Sequence, residues 1–176
     1  MIGGSVASDS KTILELWEWR KKLGNIMNPF EAFLVLRGLP TLEIRFMQQS
    51  KTAKELAEYL KSHQRIENVF YPGLKNSPYY SIANRVFDRK AYGGVLSFKI
   101  KGGKDAAFKF FKNVKIIKAS PSLGGVESLA TYPVLSASRG ISQEVRAELG
   151  ISENLIRLSV GLEDVNDLRE DLDRAL

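Results

Sequence analysis

The 176-residue chain is long enough for one ordinary domain, or for one compact domain with an appended piece, and short for two full domains. Its hydrophobic share of 44% and charged share of 26% are typical of a packed globular protein and exclude a disordered or fibrous chain. Because it has no cysteine and only one histidine, His63, the sequence excludes disulfides, thiolate catalysis and metal centres built from cysteine or histidine clusters.

Charge and hydropathy predict a cytoplasmic protein without nucleic-acid or membrane partners. The net charge is +6, and residues 99–118 hold seven lysines opposed only by Asp105. Leu96, Phe98 and Ile100 alternate with polar residues, so the lysines fit the exposed face of a strand better than an anion-binding patch. No nucleic-acid-binding motif accompanies them. The sequence also lacks an apolar run of about 18 residues and an N-terminal signal pattern.

Three helices are predicted in the first third of the chain. Apolar residues recur at helical spacing over residues 11–23, and Asn28 before a proline has the form of a helix start for residues 30–36. After an interruption by glycine and proline, the helical pattern resumes over residues 41–63. A helix of this length often bridges two structural units, so we expect a domain boundary near Ser50.

The boundary separates residues 1–50 from residues 51–176, where helices and short strands are interleaved. The predicted elements are a strand beginning at 69–71, strands at 94–101, 114–119 and 155–161, and helices at 104–113 and 164–174. The short connections between them allow mixed pairing. The predicted class is therefore α+β, with a small, mainly antiparallel sheet covered by helices and preceded by long helices.

Ser120–Ser128 is the first candidate site, because a predicted strand there leads into the glycine pair Gly124-Gly125. Exposed backbone amides and hydroxyls in such a loop can converge on a small polar ligand. Glycine pairs are also common in ordinary turns, and composition alone favours that interpretation. The residues by themselves therefore leave the function of this segment open.

Arg157 is the second candidate, because it places one guanidinium in the otherwise apolar strand 155–161. An unpaired buried charge costs several kcal/mol, so the arginine needs an anionic partner or an open face. Its planar fork matches a carboxylate in two-point contact, which suits the recognition of an amino acid. A salt bridge to Glu127, Glu153 or Glu163 is an equal alternative at this point.

Three segments of the chain resemble consecutive motifs of one enzyme family. They are NPFEAFLVLRGLPTLEIR from Asn28, SLGGVESLATYP from Ser122 and GISENLIRLSVGLEDVNDLREDLDRAL from Gly150. The family is the transsulfuration family, which includes cystathionine γ-synthase, cystathionine γ-lyase, methionine γ-lyase and O-acetylhomoserine sulfhydrylase. The motifs occur in family order across nearly the whole chain, which makes the resemblance specific.

The resemblance implies a pyridoxal-phosphate enzyme of fold type I, usually a homotetramer, in which a large cofactor domain precedes a smaller C-terminal domain. Residues 1–50 would be the tail of the large domain with linking helices, and residues 51–176 the C-terminal domain. Ile2–Val6 is similar to the segment that follows the Schiff-base lysine, so we expect that lysine to lie before Met1. The chain would then be a C-terminal fragment, inactive alone and without catalytic, cofactor-binding or metal residues of its own. We expect it to form a homo-oligomer or to join a chain that carries the cofactor lysine.

The same resemblance assigns substrate-binding residues. Arg157 matches the family arginine that binds the substrate α-carboxylate, and Ser122 with Leu123 matches the loop that supports this carboxylate. Pro121 departs from the family, where the neighbouring position is often glutamate and tunes substrate choice, and Ser136-Ala137 stands where many members have Thr-His. Both γ-replacement and γ-elimination therefore remain open. A non-catalytic assembly module, or a degenerate remnant of such an enzyme, is the alternative.

Overall fold

The computed structural model describes residues 3–176, which separate into two compact units, one ending at Glu43 and the other spanning Ile44–Leu176. The first two residues, and with them the start of the predicted Ile2–Val6 motif, lie outside the described residues. The predicted boundary near Ser50, as the end of a cofactor-domain tail, stays a prediction. None of the helices in the described part of the chain is long and apolar enough to cross a membrane.

The first unit contains two helices, α1 (Ser10–Leu23) and α2 (Pro29–Gly38). At the start of α1, the Asp9 carboxylate accepts a hydrogen bond from the backbone N–H of Thr12 at 3.0 Å. Gly24 ends this helix in the left-handed conformation, with φ of 73°. Asn28 starts α2 by accepting from the backbone N–H of Glu31 at 2.9 Å. The helix start predicted at Asn28 is thus confirmed, yet no residue of α1 or α2 is buried.

The long helix α3 (Leu42–Ser62) leads into the second unit. The other helices are α4 (Tyr80–Val86), α5 (Gly103–Asn113), α6 (Gln143–Glu148) and α7 (Val165–Ala175). The strands are β1 (Ile66–Phe70), β2 (Val95–Ile100), β3 (Lys118–Ala119), β4 (Leu129–Thr131) and β5 (Leu155–Ser159). They form one sheet in the order β1-β2-β5-β4-β3, antiparallel except for the β3–β4 pair. The predicted α+β class with a mainly antiparallel sheet is confirmed.

The sheet has one apolar and one polar face, because side chains alternate along its central strands. The apolar face is represented by Leu96, Phe98, Ile156 and Leu158, which are at most 1% exposed. These residues share one hydrophobic core with apolar side chains from α3, α5 and α7. Ser97, Arg157 and Thr131 are register partners on β2, β5 and β4 and lie on the opposite face. The core therefore supports the sheet from one side and leaves the other side for polar groups.

Only Lys118–Ala119 of the predicted strand 114–119 forms a strand. The preceding backbone is held instead by Asp171 of α7, whose fully buried carboxylate accepts hydrogen bonds from the N–H groups of residues 115–117 at 2.9–3.0 Å. Amides that bond to a carboxylate are not available to a neighbouring strand, so this part of the prediction is wrong. The short elements α4, α6 and β4 were not predicted, since each is too short for its hydrophobic pattern to repeat clearly.

Candidate functional site

Arg157 lies at the centre of β5, between two hydroxyl-bearing residues on the neighbouring strands. Its register partner on β2 is Ser97, and its partner on β4 is Thr131. The arginine side chain is half-buried on the polar face of the sheet. The alternation of β5 therefore explains how an apolar strand carries a charge without enclosing it in the core.

The Arg157 guanidinium binds the backbone of the predicted loop through one nitrogen. Nη2 donates to the carbonyl oxygens of Pro121 at 2.8 Å and Ser122 at 3.0 Å, and to Oγ1 of Thr131 at 2.9 Å. Nη1 takes no part in these contacts, and Nε is buried without a hydrogen-bond partner in the structure. The guanidinium is thus attached to the loop but retains donors that no protein group uses.

None of the three glutamates that the sequence offers as salt-bridge partners, Glu127, Glu153 and Glu163, pairs with Arg157 in the described structure. Glu153 pairs with the guanidinium of Arg146 at 3.1 Å. Glu163 accepts from the backbone N–H of Ser128 at 2.7 Å and from its hydroxyl at 2.8 Å. Within residues 3–176, no ion pair joins Arg157 to any of these glutamates. The internal salt bridge is therefore not the arrangement that the chain adopts.

Ser120–Ser128 is a loop whose glycine pair is tied down from two directions. Gly124 has φ of 77°, a left-handed value that suits glycine, and its N–H donates to Oγ of Ser159 at 3.0 Å. Gln49 of α3 donates to the carbonyl oxygen of Gly125 at 2.6 Å. The glycines thus let the backbone turn while β5 and α3 hold it, which makes the loop a defined surface.

The end of this loop is closed by Ser128. Its hydroxyl donates to Glu163 and also accepts from the backbone N–H of Gly161 at 2.9 Å. A Cβ added to Gly161 would lie 2.3 Å from the carbonyl oxygen of Val126, so a larger residue does not fit. Because Gly161 lies only two residues after the end of β5, the strand that carries Arg157 and the loop that it contacts are packed as one piece.

The structure brings Ser122 to Arg157 through its backbone carbonyl, whereas neither of the predicted side chains takes part in these bonds. The Ser122 side chain forms no hydrogen bond within the described part of the chain, and Leu123 is 56% exposed. Both positions are therefore accessible to a ligand. Their role in substrate binding stays a prediction.

Sequence reasoning missed Thr131 and Gln49, which contact the arginine and the loop. Thr131 is 4% exposed, and its hydroxyl donates to the carbonyl oxygen of Ser120 at 2.6 Å. Gln49 belongs to a helix 76 residues before the glycine that it binds. A polar residue inside the short apolar segment of β4 was the available signal for Thr131, while Gln49 left no signal in the sequence.

A separate cavity of about 360 Å³ opens between α6 and Lys99 of β2. Its arginine, Arg146, is already paired with Glu153. The hydroxyl of Tyr132 donates to the same glutamate at 3.2 Å, and burial together with Glu153 raises the pKa of Tyr132 to about 12. Because Arg146 is satisfied by a carboxylate of the protein, Arg157 is the better candidate for an external carboxylate.

Comparison with known proteins points to one family. The family model described as Cys/Met metabolism PLP-dependent enzyme matches residues 1–176. Cystathionine gamma-lyase from Dictyostelium discoideum is 43% identical over 157 residues, which cover 89% of this chain and 40% of that protein.

Two solved structures resemble the fold. A cystathionine gamma-lyase from Micromonospora echinospora matches with a TM-score of 0.90 at 39% identity, covering 97% of this chain and 44% of that one. Cystathionine gamma-synthase from Xanthomonas oryzae pv. oryzae, solved in complex with cystathionine, matches with a TM-score of 0.89 at 38% identity, covering 97% and 43%. The chain thus spans less than half the length of each of these three relatives.

Proposed function

This chain belongs to the family of Cys/Met metabolism PLP-dependent enzymes, and from that premise we propose that it supplies the binding site for the α-carboxylate of an amino-acid substrate. The enzyme would act on sulfur amino acids, in the manner of a cystathionine γ-synthase or γ-lyase. The observation that carries the proposal is the Arg157 guanidinium, which has no carboxylate partner among the described residues and keeps Nη1 and Nε unused.

The family is PLP-dependent, and the cofactor supplies the electron sink for chemistry at the α-carbon of an amino acid. The donor set around Arg157 fits a single carboxylate. The loop groups nearest Arg157 are carbonyl acceptors, so they provide no donor set for the phosphate of the cofactor. We therefore derive no chemical step from the cofactor and restrict the proposal to substrate capture.

The geometry suggests how the carboxylate would be held. One of its oxygens would accept from Nη1 of Arg157, which has no other partner in the described structure. Two-point binding would also use one of the two hydrogens of Nη2. In the structure these two hydrogens are shared among three acceptors, which belong to Pro121, Ser122 and Thr131. One loop carbonyl would then yield its hydrogen bond. The arginine and the exposed Ser122 hydroxyl would fix the orientation of the amino acid.

The reaction type is the finer part of the proposal. Relatives of similar identity are a γ-lyase and a γ-synthase, and the latter was solved in complex with cystathionine. Pro121 can offer only a carbonyl acceptor from its backbone, since proline has no N–H. Because this neighbour of the arginine is neutral, no protein carboxylate at Pro121 competes with the α-carboxylate of a substrate. This is compatible with both γ-elimination and γ-replacement.

The experiment compares two ligands that differ by one carboxylate. L-Methionine and 3-(methylthio)propylamine are titrated into the chain while the arginine side-chain ¹⁵N signals are recorded by NMR. We expect L-methionine to shift the Arg157 signals and the amine to leave them unchanged. Arg157→Ala should weaken L-methionine binding about ten- to a hundredfold, since a charge-assisted hydrogen bond contributes roughly 1.5–3 kcal/mol.

Arg157→Lys is the matched variant, because it keeps the charge and loses the planar fork. It should bind L-methionine with an affinity between those of the wild type and Arg157→Ala. Equal affinity for the amine and the amino acid, or unchanged affinity in Arg157→Ala, would contradict the proposal.

The second candidate function is an assembly module, and it is favoured by the exposed apolar residues of α1 and α2. The most exposed of these are Leu14, Trp17, Trp19, Leu23, Phe30, Phe33 and Leu36. Exposed apolar groups of this number usually mark a surface that another protein covers. We therefore propose that the chain self-associates or joins a partner chain through this unit.

Light scattering tests this second proposal. The wild-type chain should give a mass above the monomer value of 19.7 kDa, and the double substitution Trp17→Ser with Phe33→Ser should return it toward that value. Val86→Ser is the control, since Val86 is 67% exposed but lies outside α1 and α2. A monomeric wild-type particle at high concentration would exclude self-association.

A further inference from the structure

We propose that Thr131 is a positioning residue that holds the Arg157 guanidinium against the Ser120–Ser128 loop. The inference deepens the proposed function and rests on it insofar as the held guanidinium binds a carboxylate. In this proposal Thr131 is the group of the protein that sets the direction of the arginine. Thr131 would act through Arg157 and would not contact the ligand.

The Arg157 guanidinium is attached to the protein on one side only. In the register of the sheet, Arg157 has Ser97 on one side and Thr131 on the other. Every hydrogen bond of its guanidinium goes to the Thr131 side, to the loop or to the threonine itself. Ser97 offers an equivalent hydroxyl on β2 but forms no side-chain hydrogen bond within residues 3–176. The arginine therefore leans toward β4 although hydroxyls flank it on both sides.

The Thr131 hydroxyl has a single hydrogen, and the bond that this hydrogen forms fixes which side of the oxygen can accept. Its single proton is donated to the carbonyl oxygen of Ser120 at 2.6 Å. The lone pairs of Oγ1 are then left to accept, and Nη2 of Arg157 donates to one of them at 2.9 Å. The hydroxyl thus has a fixed orientation, with its acceptor side toward the guanidinium. Among the described residues, Ser97 has no partner that would fix its hydroxyl in the same way.

Thr131 is also better shielded from water than the loop carbonyls are. Thr131 is 4% exposed, whereas the Pro121 and Ser122 backbone belongs to an exposed part of the loop. Water can replace the exposed carbonyls as partners of Nη2, but water has little access to Thr131 Oγ1. The threonine bond is therefore the contact that solvent is least able to substitute, and it also ties Ser120 to β4.

The test compares Thr131→Val, which keeps the shape and removes the hydroxyl, with Thr131→Ser, which keeps the hydroxyl. Rotation of the Arg157 guanidinium is measured by ¹⁵N exchange NMR on the full chain without ligand. We expect rotation about two- to tenfold faster in Thr131→Val, the range that corresponds to one lost hydrogen bond, and wild-type behaviour in Thr131→Ser. Ser97→Ala is the control on the opposite neighbour and should leave the rotation unchanged.

The Arg146 guanidinium, which is paired with Glu153, serves as an internal reference in the same spectra. General loosening of the protein would accelerate both arginines, whereas loss of positioning accelerates Arg157 alone. L-Methionine titration then measures the consequence for binding, with affinity expected to fall about two- to tenfold in Thr131→Val and to recover in Thr131→Ser. Thr131→Ala provides the same comparison if the valine variant melts early.

The outcomes separate this inference from the proposed function. Unchanged Arg157 rotation in Thr131→Val, or equal acceleration of Arg146, overturns the positioning role. If Arg157 alone rotates faster but the wild type does not bind L-methionine, Thr131 positions the guanidinium and the carboxylate-binding function fails. If rotation responds while L-methionine binds equally well to all variants, the direction of the guanidinium does not govern binding.

Discussion

Asp171 and Arg157 are two charged side chains that each bind the backbone of a loop, and they differ in how completely their own hydrogen bonds are satisfied. Asp171 is fully buried, accepts from three consecutive backbone N–H groups, and pairs with Nη1 of Arg174 at 2.7 Å. Arg157 is half-buried and binds the loop through one of its three guanidinium nitrogens.

The difference indicates what each charge is for. A buried ion is retained at low cost only if every one of its bonding positions is filled, and Asp171 meets that condition. Such a group holds the fold and has nothing left to offer a ligand. The protein fixes the location of Arg157 but uses only part of its capacity to donate hydrogen bonds. That combination is expected of a group that binds something from outside.

The largest effect that the comparison predicts is a loss of stability in Asp171→Ala. The substitution leaves three backbone N–H groups of residues 115–117 and the guanidinium of Arg174 without their carboxylate. Each buried N–H that loses its acceptor costs about 1–3 kcal/mol, whereas Arg174 is 41% exposed and can bond to water, so the free energy of unfolding should fall by about 3–5 kcal/mol in total. Urea denaturation followed by circular dichroism measures it.

Asp167→Ala is the control for this prediction, because Asp167 is exposed in the first turn of the same helix. It should lose no more than about 1 kcal/mol, the contribution of a surface charge near a helix start. Equal losses in the two variants would remove the distinction between a completed buried charge and an ordinary surface charge.

Tyr71 extends the comparison to a neutral group whose bonding is complete. The single proton of its hydroxyl is shared between the carbonyl oxygens of Gly93 at 2.9 Å and Ser50 at 3.2 Å, and burial raises the pKa of Tyr71 to about 12. In the unfolded chain the pKa returns to about 10, so the contribution to stability is complete below pH 10 and is lost between pH 10 and 12.

The expected loss over this alkaline range is on the order of 2 kcal/mol. Tyr71→Phe should be less stable at pH 7, because two carbonyls lose a donor, and should show a smaller decline between pH 10 and 12. Thermal melts of both proteins across this range provide the measurement. A decline of the same size in Tyr71→Phe would assign the alkaline sensitivity to other groups.

The parts of the fold that depend on local chemistry were predictable from the sequence. Asp9, Gly24 and Asn28 set helix ends through bonds that span three or four residues, and alternation along β5 placed Arg157 on the polar face. The end of the predicted strand 114–119 was correct and its beginning was not. The cause is Asp171, about 55 residues away in the chain, because no local pattern reveals a partner at that distance.

In the candidate site, too, some residues could be found from the local pattern and others depend on distant contacts. Arg157 could be found because a charge in an apolar strand contradicts the surrounding pattern. Thr131 could not be assigned a role, since a threonine in a strand has ordinary β propensity and gives no indication of what its hydroxyl contacts. Gln49 reaches Gly125 only after α3 and the loop have packed. Long-range side-chain contacts therefore account for what the sequence left out.

The next effect in size is a difference in stability between the alanine variants of Arg157 and Arg146. Arg157→Ala should change the free energy of unfolding by less than about 1 kcal/mol, because exposed loop carbonyls can bond to water instead. Arg146→Ala should cost more, about 1–3 kcal/mol, since Arg146 is 17% exposed and its ion pair with Glu153 is partly shielded from solvent. Urea denaturation of both variants measures this difference.

For ligand binding, the order of the two variants should be the reverse of their order in stability. Arg157→Ala should bind L-methionine more weakly, whereas Arg146→Ala should retain the wild-type affinity. This outcome would show that stability and capture reside on different arginines. A larger loss of stability in Arg157→Ala than in Arg146→Ala would place Arg157 with Asp171 among the structural charges.

The smallest effect concerns Ser122, which meets Arg157 only through its backbone carbonyl. Ser122→Ala keeps that carbonyl and removes an exposed hydroxyl, so the free energy of unfolding should stay within about 0.5 kcal/mol of the wild type. If the hydroxyl also donates to the bound carboxylate, affinity for L-methionine should fall about two- to tenfold, as for one ordinary hydrogen bond. Melts and titrations on the same samples separate these contributions. Unchanged affinity would limit Ser122 to its backbone contact and leave Arg157 to bind the carboxylate without it.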